Sequence, residues 1–295
     1  MAIKLKGHET FGLREGWLSK GLKEISNNPK VFTQNYGADA LGVGSNMAKA
    51  IRYWLKAGGF TKDKPKEGTV LTPIGELILK KDEYLEETFP LWIFHINLAW
   101  SSDKATSWYL FFNELKLEEF TREELTEQLY NKLVVMTDKI SERSLRDDIT
   151  VLLNMYTKER VEKYDPEEKK ISPFIKLGLL KKDGNKYIKT QPLKENLNEY
   201  VVMYAMEKYF EYKKTDSISI EELLNGTFSP GKILNLKRVL LNEYIDKLAE
   251  QNYLTVNRTA GLDMVYLGKQ TEKNIIVKKY ESPVEIIKGY YENKA

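Results

Sequence analysis

Charged side chains that could take part in hydrolysis are concentrated near the N-terminus. The segment GHETFGLREGW (7–17) places Glu9, Arg14 and Glu15 between glycines, where a loop can present them. Carboxylates can hold a divalent cation, and arginine binds phosphate through paired N–H donors. These three residues are therefore the candidate catalytic residues, and the ligands of any metal ion stay open. The structural alternative is that the aromatic residues anchor the loop while its charges pair locally.

Two residue types that carry much enzyme chemistry are scarce. The chain of 295 residues has no cysteine and two histidines, His8 and His95. Disulfides, thiolate catalysis and zinc sites built from cysteines or clustered histidines are therefore excluded. His95 stands in an apolar helical run and is predicted to be a satisfied core histidine. For His8 three interpretations stay open: a pair with Glu9, a ligand contact, or a structural role in a turn.

Residues 38–79 contain the clearest pattern of helices and strands that could hold a ligand near these side chains. A short helix precedes the turn Gly42-Val43-Gly44, and Ser45 stands where a helix N-cap belongs. The next helix, 46–57, buries one face and leaves a basic, hydrogen-bonding face outside. A Lys-rich hairpin at 61–71 and a further helix follow. This order is typical of a winged helix-turn-helix, which most often binds DNA.

The predicted DNA contacts lie on the outer face of this helix and on the wing. They are Ser45, Asn46, Lys49, Arg52, Tyr53 and Lys56 on the helix, and Lys62, Lys64 and Lys66 on the wing. Residues 1–66 hold 12 Lys or Arg against 5 Asp or Glu, whereas residues 67–131 hold 5 against 13. A basic end of this kind supplies the local field that attracts phosphates. The alternative is a chance fluctuation among solvated side chains.

The order of helices followed by a hairpin recurs along the chain. Asp183-Gly184-Asn185 and Ala260-Gly261 are predicted tight turns, and a long helix is predicted from Ser229-Pro230 to about residue 251. We therefore predict a mainly α fold with small β-hairpin wings, in which multiple winged helix-turn-helix units surround a helical core. The predicted domains are 1–83, an N-terminal winged helix-turn-helix; 84–195, a helical region with a second such unit; and 196–295, a third unit with a C-terminal helix.

Other carboxylates form less specific patterns. Asp103, Glu114 and Lys116 occur in an order seen in metal-dependent nucleases, but they follow a helical aromatic run where those enzymes have a strand. That context disfavours a nuclease site of this type. Asp147 and Asp148 are interpreted as acidic residues at the start of a helix, where carboxylates interact favourably with the helix dipole.

Three segments together resemble a known bacterial family. GHETFGLREGWLSKGL, LGVGSNMAKAIRYW and LTPIGELIL are similar to a domain family encoded near DNA-phosphorothioation genes, which includes the SspB-like proteins. The resemblance implies a defence system in which one DNA strand is nicked so that sulfur can replace a non-bridging phosphate oxygen. It also implies double-stranded DNA, a cysteine desulfurase and a sulfurtransferase as partners, and it favours a metal-dependent nicking endonuclease. Mg²⁺ or Mn²⁺ would then act with Glu9, Arg14 or Glu15.

Two other functions stay open at this point. One is a non-catalytic transcription regulator that uses the same helix, and the other is a scaffold whose acidic middle binds proteins. A homodimer also stays open. The most apolar stretch, 89–100, is too short to span a bilayer and contains His95 and Asn97. We therefore expect a cytoplasmic protein without a membrane segment.

Overall fold

The computed structural model describes residues 3–157, 171–259, 262–271 and 276–294. The chain divides into two compact units, Met1–Thr190 and Gln191–Ala295. Both are mainly helical with small antiparallel sheets, as the sequence predicts. The finer division into three domains stays a prediction. None of the helices within the described ranges is long and apolar enough to cross a membrane.

The first unit begins with helices and a hairpin and ends with a second hairpin. Its helices are α1 (Trp17–Asn27), α2 (Ala38–Leu41), α3 (Ser45–Ala57), α4 (Pro73–Lys81), α5 (Thr88–Trp100), α6 (Thr106–Asn113), α7 (Arg122–Met136) and α8 (Glu142–Thr157). Its strands are β1 (Thr61–Lys64), β2 (Gly68–Leu71), β3 (Glu119–Thr121), β4 (Leu180–Asp183) and β5 (Lys186–Lys189). Strands β1 and β2 pair antiparallel, and β3 pairs antiparallel with β5, which also pairs with β4.

The core of this unit is aromatic and surrounds α5. This helix is apolar on all sides and is buried along almost its whole length, as expected for a central helix. His95 is fully buried, and its Nδ1 lies 2.7 Å from the hydroxyl of Tyr156 on α8. Phe112 and Phe174 pack their rings against the imidazole. The prediction of a satisfied core histidine is therefore confirmed.

The start of α3 differs from the prediction. Ser45 is already the first helical residue, and the N-cap is Gly44, which has extended backbone angles and no side chain to cap the helix. The carbonyl of Gly44 accepts the first helical hydrogen bond, from Ala48 N–H at 3.0 Å. The predicted N-cap role of Ser45 is therefore wrong by one position. The predicted end is correct, because α3 ends at Ala57 before Gly58.

The β1–β2 hairpin is tied close to its turn to the loop after α1. The N–H of Thr69 donates to the carbonyl of Pro29 at 2.9 Å. Gly68 has φ 108°, and a Cβ there would lie 2.3 Å from the same carbonyl oxygen. Thr72 then caps α4 by accepting from the N–H of Gly75. The position and twist of the hairpin are thus fixed by backbone contacts.

The later part of the first unit contains a capping box, confirms one predicted turn and corrects one prediction. Thr121 and Glu124 form a reciprocal capping box at the start of α7. The tight turn between β4 and β5 is present. The correction concerns Asp147 and Asp148: α8 begins at Glu142, so both carboxylates lie beyond the first turn of the helix and are not first-turn dipole partners.

The second unit surrounds a central helix, α9. Its helices are α9 (Glu199–Lys213), α10 (Ile220–Asn225), α11 (Pro230–Ile233), α12 (Arg238–Glu250) and α13 (Pro283–Glu292). Its strands are β6 (Ile218–Ser219), β7 (Leu254–Thr259), β8 (Leu262–Leu267), β9 (Lys269–Gln270) and β10 (Ile276–Val277). Strand β8 pairs with both β6 and β7, and the predicted turn at Ala260-Gly261 lies outside the described residues.

The predicted long helix from Ser229 to residue 251 is wrong, because it is two helices. The break lies between α11 and α12, where Asn235 has φ 50°. The N–H of Leu236 bonds back to the carbonyl of Gly231 at 2.8 Å, which ends the first helix. Leu234 and Leu236 are buried by this bend. Burial of two leucines thus outweighs the propensity of the local sequence to continue as a helix.

Candidate nucleic-acid interface

A groove of ≈ 450 Å³ lies between α3, the N-terminal segment, β1 and the turn after α5. We call it the α3 groove. It brings together Lys49, Arg52, Tyr53 and Lys56 with the candidate catalytic residue Glu9. The other lining residues are Lys4, Gly7, Phe32, Tyr36, Ala57, Asp63, Asp103 and Lys104. Cations outnumber carboxylates by five to three among these lining residues, so the groove favours an anionic ligand.

Asp63 on β1 pairs with two of the five cations of the groove. Its carboxylate lies 3.1 Å from a guanidinium nitrogen of Arg52 and 2.5 Å from the ammonium of Lys56. The hydroxyl of Thr69 donates to the same carboxylate at 2.9 Å. Burial alone would raise the pKa of Asp63, but the hydrogen bonds from Lys56, Thr69 and Arg52 outweigh it and lower the pKa to about 2. A phosphate bound by Arg52 and Lys56 must therefore compete with an internal anion.

Aromatic rings lie beside the same basic side chains. The ammonium of Lys49 lies 4.2 Å from the ring centre of Tyr36, and the guanidinium of Arg52 lies 5.4 Å from that of Phe32. These distances fall within the range of cation–π attraction. Tyr36 is 51% exposed, so its side chain can also contact a ligand. Phe32 and Tyr36 precede the predicted helix-turn-helix, and no motif in the sequence indicated them.

Tyr53 forms part of the wall of the α3 groove. Its hydroxyl donates to the backbone carbonyl of Lys104 at 2.9 Å. Its ring packs closely over Gly7, where an added Cβ would lie 2.2 Å from Cε2 of the tyrosine. Burial raises the pKa of Tyr53 well above its ordinary value. The side chain therefore joins α3 to the N-terminal segment and to the turn after α5.

The loop that carries Glu9 is held by a buried imidazole. His8 is fully buried and stacks on the indole of Trp54, with ring centres 5.5 Å apart. Glu9 and Thr10 follow with φ of 49° and 68°. The left-handed region costs a non-glycine residue about 1–2 kcal/mol, so surrounding contacts must stabilise this conformation. Such strain is common at functional sites.

Asp148 on α8 supplies those contacts. It accepts hydrogen bonds from the backbone N–H of Lys6 at 2.7 Å, from His8 Nε2 at 2.9 Å and from the Ser107 hydroxyl at 2.6 Å. The N–H of Thr10 donates to Nδ1 of the same imidazole at 3.2 Å. This pattern assigns the ring proton to Nε2. The carboxylate therefore fixes the backbone on the N-terminal side of Glu9.

The sequence pattern around Asp148 indicates burial, although the predicted helix start indicated a dipole interaction instead. Asp148 lies on the same side of α8 as Leu145, Ile149 and Leu152, and it is buried with them. A carboxylate on an apolar helix face requires buried donors. That requirement predicts partners for Asp148, but the sequence does not say that one of them is His8.

The chain matches one protein family and two solved structures. A family model described as "Protein of unknown function (DUF4007)" matches residues 5–280. The chain belongs to the DUF4007 family. Two SspB crystal structures, one of them magnesium ion-bound, match this DUF4007 member with a TM-score of 0.81 and 24% sequence identity. Each match covers 99% of this chain and 87% of the SspB chain, which confirms the SspB-like resemblance as a likeness of fold. No curated protein matches the chain.

Two of the candidate catalytic residues of this DUF4007 member do not line the α3 groove. The guanidinium of Arg14 lies over the ring of Trp17, 5.1 Å from its centre. Glu15 is exposed, and its carboxylate lies 3.5 Å from the ammonium of Lys176. Of the three candidates, Glu9 is therefore the one that the structure places among the predicted DNA contacts.

The remaining predicted contacts of the DUF4007 chain lie around the groove. Ser45 and Asn46 form the first turn of α3. On the hairpin, Lys62, Lys64 and Lys66 are exposed, and Lys64 lies 3.1 Å from Glu67. All of these side chains can reach solvent, but none lines the α3 groove itself.

The carboxylates of the α3 groove are the side chains there that could hold a metal ion. Within the described ranges, no group of three or more His, Asp or Glu side chains could hold a metal ion. The α3 groove nevertheless contains Glu9 and Asp103, and Mg²⁺ is commonly held by one or two carboxylates with water and substrate phosphates. Glu114 lies apart from this pair, because it follows α6 and its carboxylate lies 3.7 Å from Lys132 on α7. The nuclease-like order of Asp103, Glu114 and Lys116 is therefore not gathered in the groove.

Proposed function

We propose that this protein is the DNA-binding component of a DNA-phosphorothioation system and that it nicks one strand of bound DNA. The observation that carries this proposal is the α3 groove, in which Lys49, Arg52 and Lys56 lie beside Glu9. Membership of the DUF4007 family and the SspB-like fold support the same system. Partners of the chain would be a cysteine desulfurase and a sulfurtransferase that deliver sulfur in the cytoplasm.

The binding mode that we propose is that of a winged helix-turn-helix. Helices α1, α2 and α3 with the β1–β2 hairpin have the required order, and α3 would enter the major groove. Ser45 and Asn46 at its N-terminal end would then face base edges. The lysines of the hairpin would contact the phosphate backbone, and these contacts would make the affinity depend on salt.

The proposed nicking site is Glu9 in its strained loop. Its carboxylate would help to hold Mg²⁺ or Mn²⁺ against a DNA phosphate, with Asp103 near the same groove. Such an ion polarises the phosphodiester and lowers the pKa of a bound water. Asp148 and His8 would keep the backbone around Glu9 in place. Arg14 and Glu15 would stabilise the C-terminal part of the same loop.

DNA binding is tested by removing cations from α3. Lys49→Ala and Arg52→Ala should each weaken binding to a fluorescent duplex, and each should reduce the slope of log K against log[salt] by about 0.9. The matched controls are Lys116→Ala and Lys139→Ala, each of which removes one positive charge from an exposed position elsewhere. An affinity of the α3 variants within about twofold of wild type would contradict the placement of DNA on α3.

Nicking is tested separately with supercoiled plasmid. With Mg²⁺ or Mn²⁺, wild type should produce open circles, and Glu9→Gln should not, although it should still bind DNA. If wild type binds DNA but never produces open circles, the protein is a non-catalytic winged-helix regulator. If it binds no DNA at all, the scaffold interpretation is favoured. The two assays therefore separate the binding and nicking parts of the proposal.

A further inference from the structure

Helix α7 carries apolar side chains both on its buried side and on an outer side. Leu125 and Leu129 are fully buried against the body of the first unit. On the outer side, Tyr130 and Val134 stand one helical turn apart and are 37% and 48% exposed. A helix that packs on one side only normally presents polar residues to solvent. The outer stripe of α7 is thus the type of surface that a second helix covers.

The outer stripe borders a cleft between α7 and α8. This α7–α8 cleft has a volume of ≈ 590 Å³ and is larger than the α3 groove. Tyr130 and Thr126 line it from α7, and Leu145 and Ile149 line it from α8. A cleft between two helices with an apolar floor has the geometry that accepts the apolar face of a third helix.

The rim of the α7–α8 cleft is negatively charged. Glu123 and Glu127 stand one helical turn apart on α7, a like-charge spacing that destabilises a helix slightly. Across the described part of the chain, neither carboxylate has an ion-pair partner. The cations of the rim are engaged: Arg146 lies 3.1 Å from Glu142, and Arg122 donates to Thr150 at 3.3 Å. A partner with positive charges would therefore relieve the repulsion on α7.

We infer that the α7–α8 cleft binds a basic amphipathic helix of another protein. Apolar side chains of that helix would pack on Tyr130 and Val134, and its Lys or Arg side chains would lie near Glu123 and Glu127. DNA does not fit this chemistry, because three glutamates and two arginines line the cleft and both arginines are engaged within the chain. The basic helix α3 of a second copy does not fit either, since its apolar residues are buried in its own core. This inference is independent of the proposed DNA interface.

The test uses the full-length protein and a labelled synthetic helix with leucines on one face and lysines beside them. Fluorescence anisotropy should show saturable binding, and a matched peptide with glutamate in place of lysine should bind at least about tenfold more weakly. The double variant Tyr130→Ser and Val134→Ser should lose about tenfold in affinity, because it removes the apolar anchors. Glu123→Gln with Glu127→Gln should weaken binding by about fivefold and reduce its salt dependence.

Two controls separate the cleft from general surface effects. Val239→Ser removes an exposed valine from α12, where the residue is 73% exposed. Glu86→Gln with Glu118→Gln removes two exposed negative charges outside the cleft. Both should leave peptide affinity unchanged. If they weaken binding as much as the cleft variants do, the inference is wrong.

Folding and self-association are measured on the same samples. The cleft variants change exposed side chains, so their thermal unfolding should stay close to that of wild type. Sedimentation velocity reports whether the chain forms a dimer. A dimer that Val134→Ser abolishes would assign the cleft to self-association and would overturn the inference of a separate partner.

Discussion

The substitution Asp63→Asn provides a direct test of how the α3 groove works. Asp63 accepts hydrogen bonds from Arg52, Lys56 and Thr69. Asparagine keeps the size of the side chain but removes its charge. We expect the variant to be slightly less stable and to bind DNA more tightly. A loss of stability together with a gain in DNA affinity is expected if Asp63 both stabilises the fold and competes with phosphate for Arg52 and Lys56.

The stability change follows from the pKa of Asp63, which falls from 3.8 to about 2. A fully shielded group with this shift would contribute roughly 2.5 kcal/mol. The side chain is 42% exposed, and solvent screening reduces the expected contribution to about 1 kcal/mol. Because the folded-state pKa is depressed, this stability is present above pH 3.8 and is lost as the pH falls through about 2. The difference in the free energy of unfolding between wild type and Asp63→Asn should disappear as the pH falls from 3.8 to about 2.

The change in DNA affinity follows from the competition for Arg52 and Lys56. Wild-type protein must give up two partly exposed ion pairs when these cations bind phosphate, at a cost of about 0.5 kcal/mol each. Asp63→Asn removes this cost, so binding should be about fivefold tighter at low salt. The gain should shrink as salt is added, because screening weakens the ion pairs in the free protein.

Fluorescence anisotropy with a labelled duplex across a salt series measures this gain, and urea denaturation measures the stability. The matched control is Glu67→Gln, which removes a neighbouring carboxylate that pairs with Lys64 instead. An equal gain in DNA affinity for Asp63→Asn and Glu67→Gln would show that loss of any nearby negative charge is sufficient. Weaker binding by Asp63→Asn would refute the competition and would mean that Asp63 orients the cations for DNA.

Three further predictions concern contacts away from Asp63. Asp148→Asn should destabilise the protein by about 1–3 kcal/mol in urea denaturation, because buried donors lose their charged acceptor, and it should reduce any nicking more than DNA binding. Gly7→Ala should cost about 1–3 kcal/mol, because its Cβ would displace the ring of Tyr53, and calorimetry should show a lower melting temperature. Burial lowers the pKa of the Lys208 ammonium from its ordinary value of 10.5 to about 8. Between these two pH values the unfolded state binds more protons than the folded state, so the free energy of unfolding should rise with pH over this range. Lys208→Met should flatten that rise in pH-dependent unfolding.

Much of the local structure follows from short-range patterns in the sequence. The capping box at Thr121, the turn between β4 and β5, and the end of α3 at Ala57 each depend on residues only a few positions apart. The break between α11 and α12 was missed because burial of Leu234 and Leu236 decides it, and that burial depends on tertiary packing.

The candidate site was predictable only in part. The basic side of α3 follows from helical periodicity, and Glu9 from its polar, glycine-flanked segment. The bond between His8 and Asp148 joins residues 140 positions apart, and no local pattern encodes such a distance. The neutralisation of Arg52 by Asp63 depends on where the hairpin folds against α3. Sequence patterns indicate which side chains are available, whereas packing decides which charges are already paired.

The hydrogen bond from Thr69 to Pro29 has a consequence for the kinetics of recognition. A flexible loop loses conformational entropy when a ligand orders it, and this loss reduces affinity and can slow association. The β1–β2 hairpin is already ordered close to its turn by that bond and by the close approach of Gly68 to the same carbonyl. Only the turn residues 65–67 would need to adjust on contact with a duplex. The encounter would then be limited by diffusion and electrostatic steering, and only slightly by rearrangement of the protein.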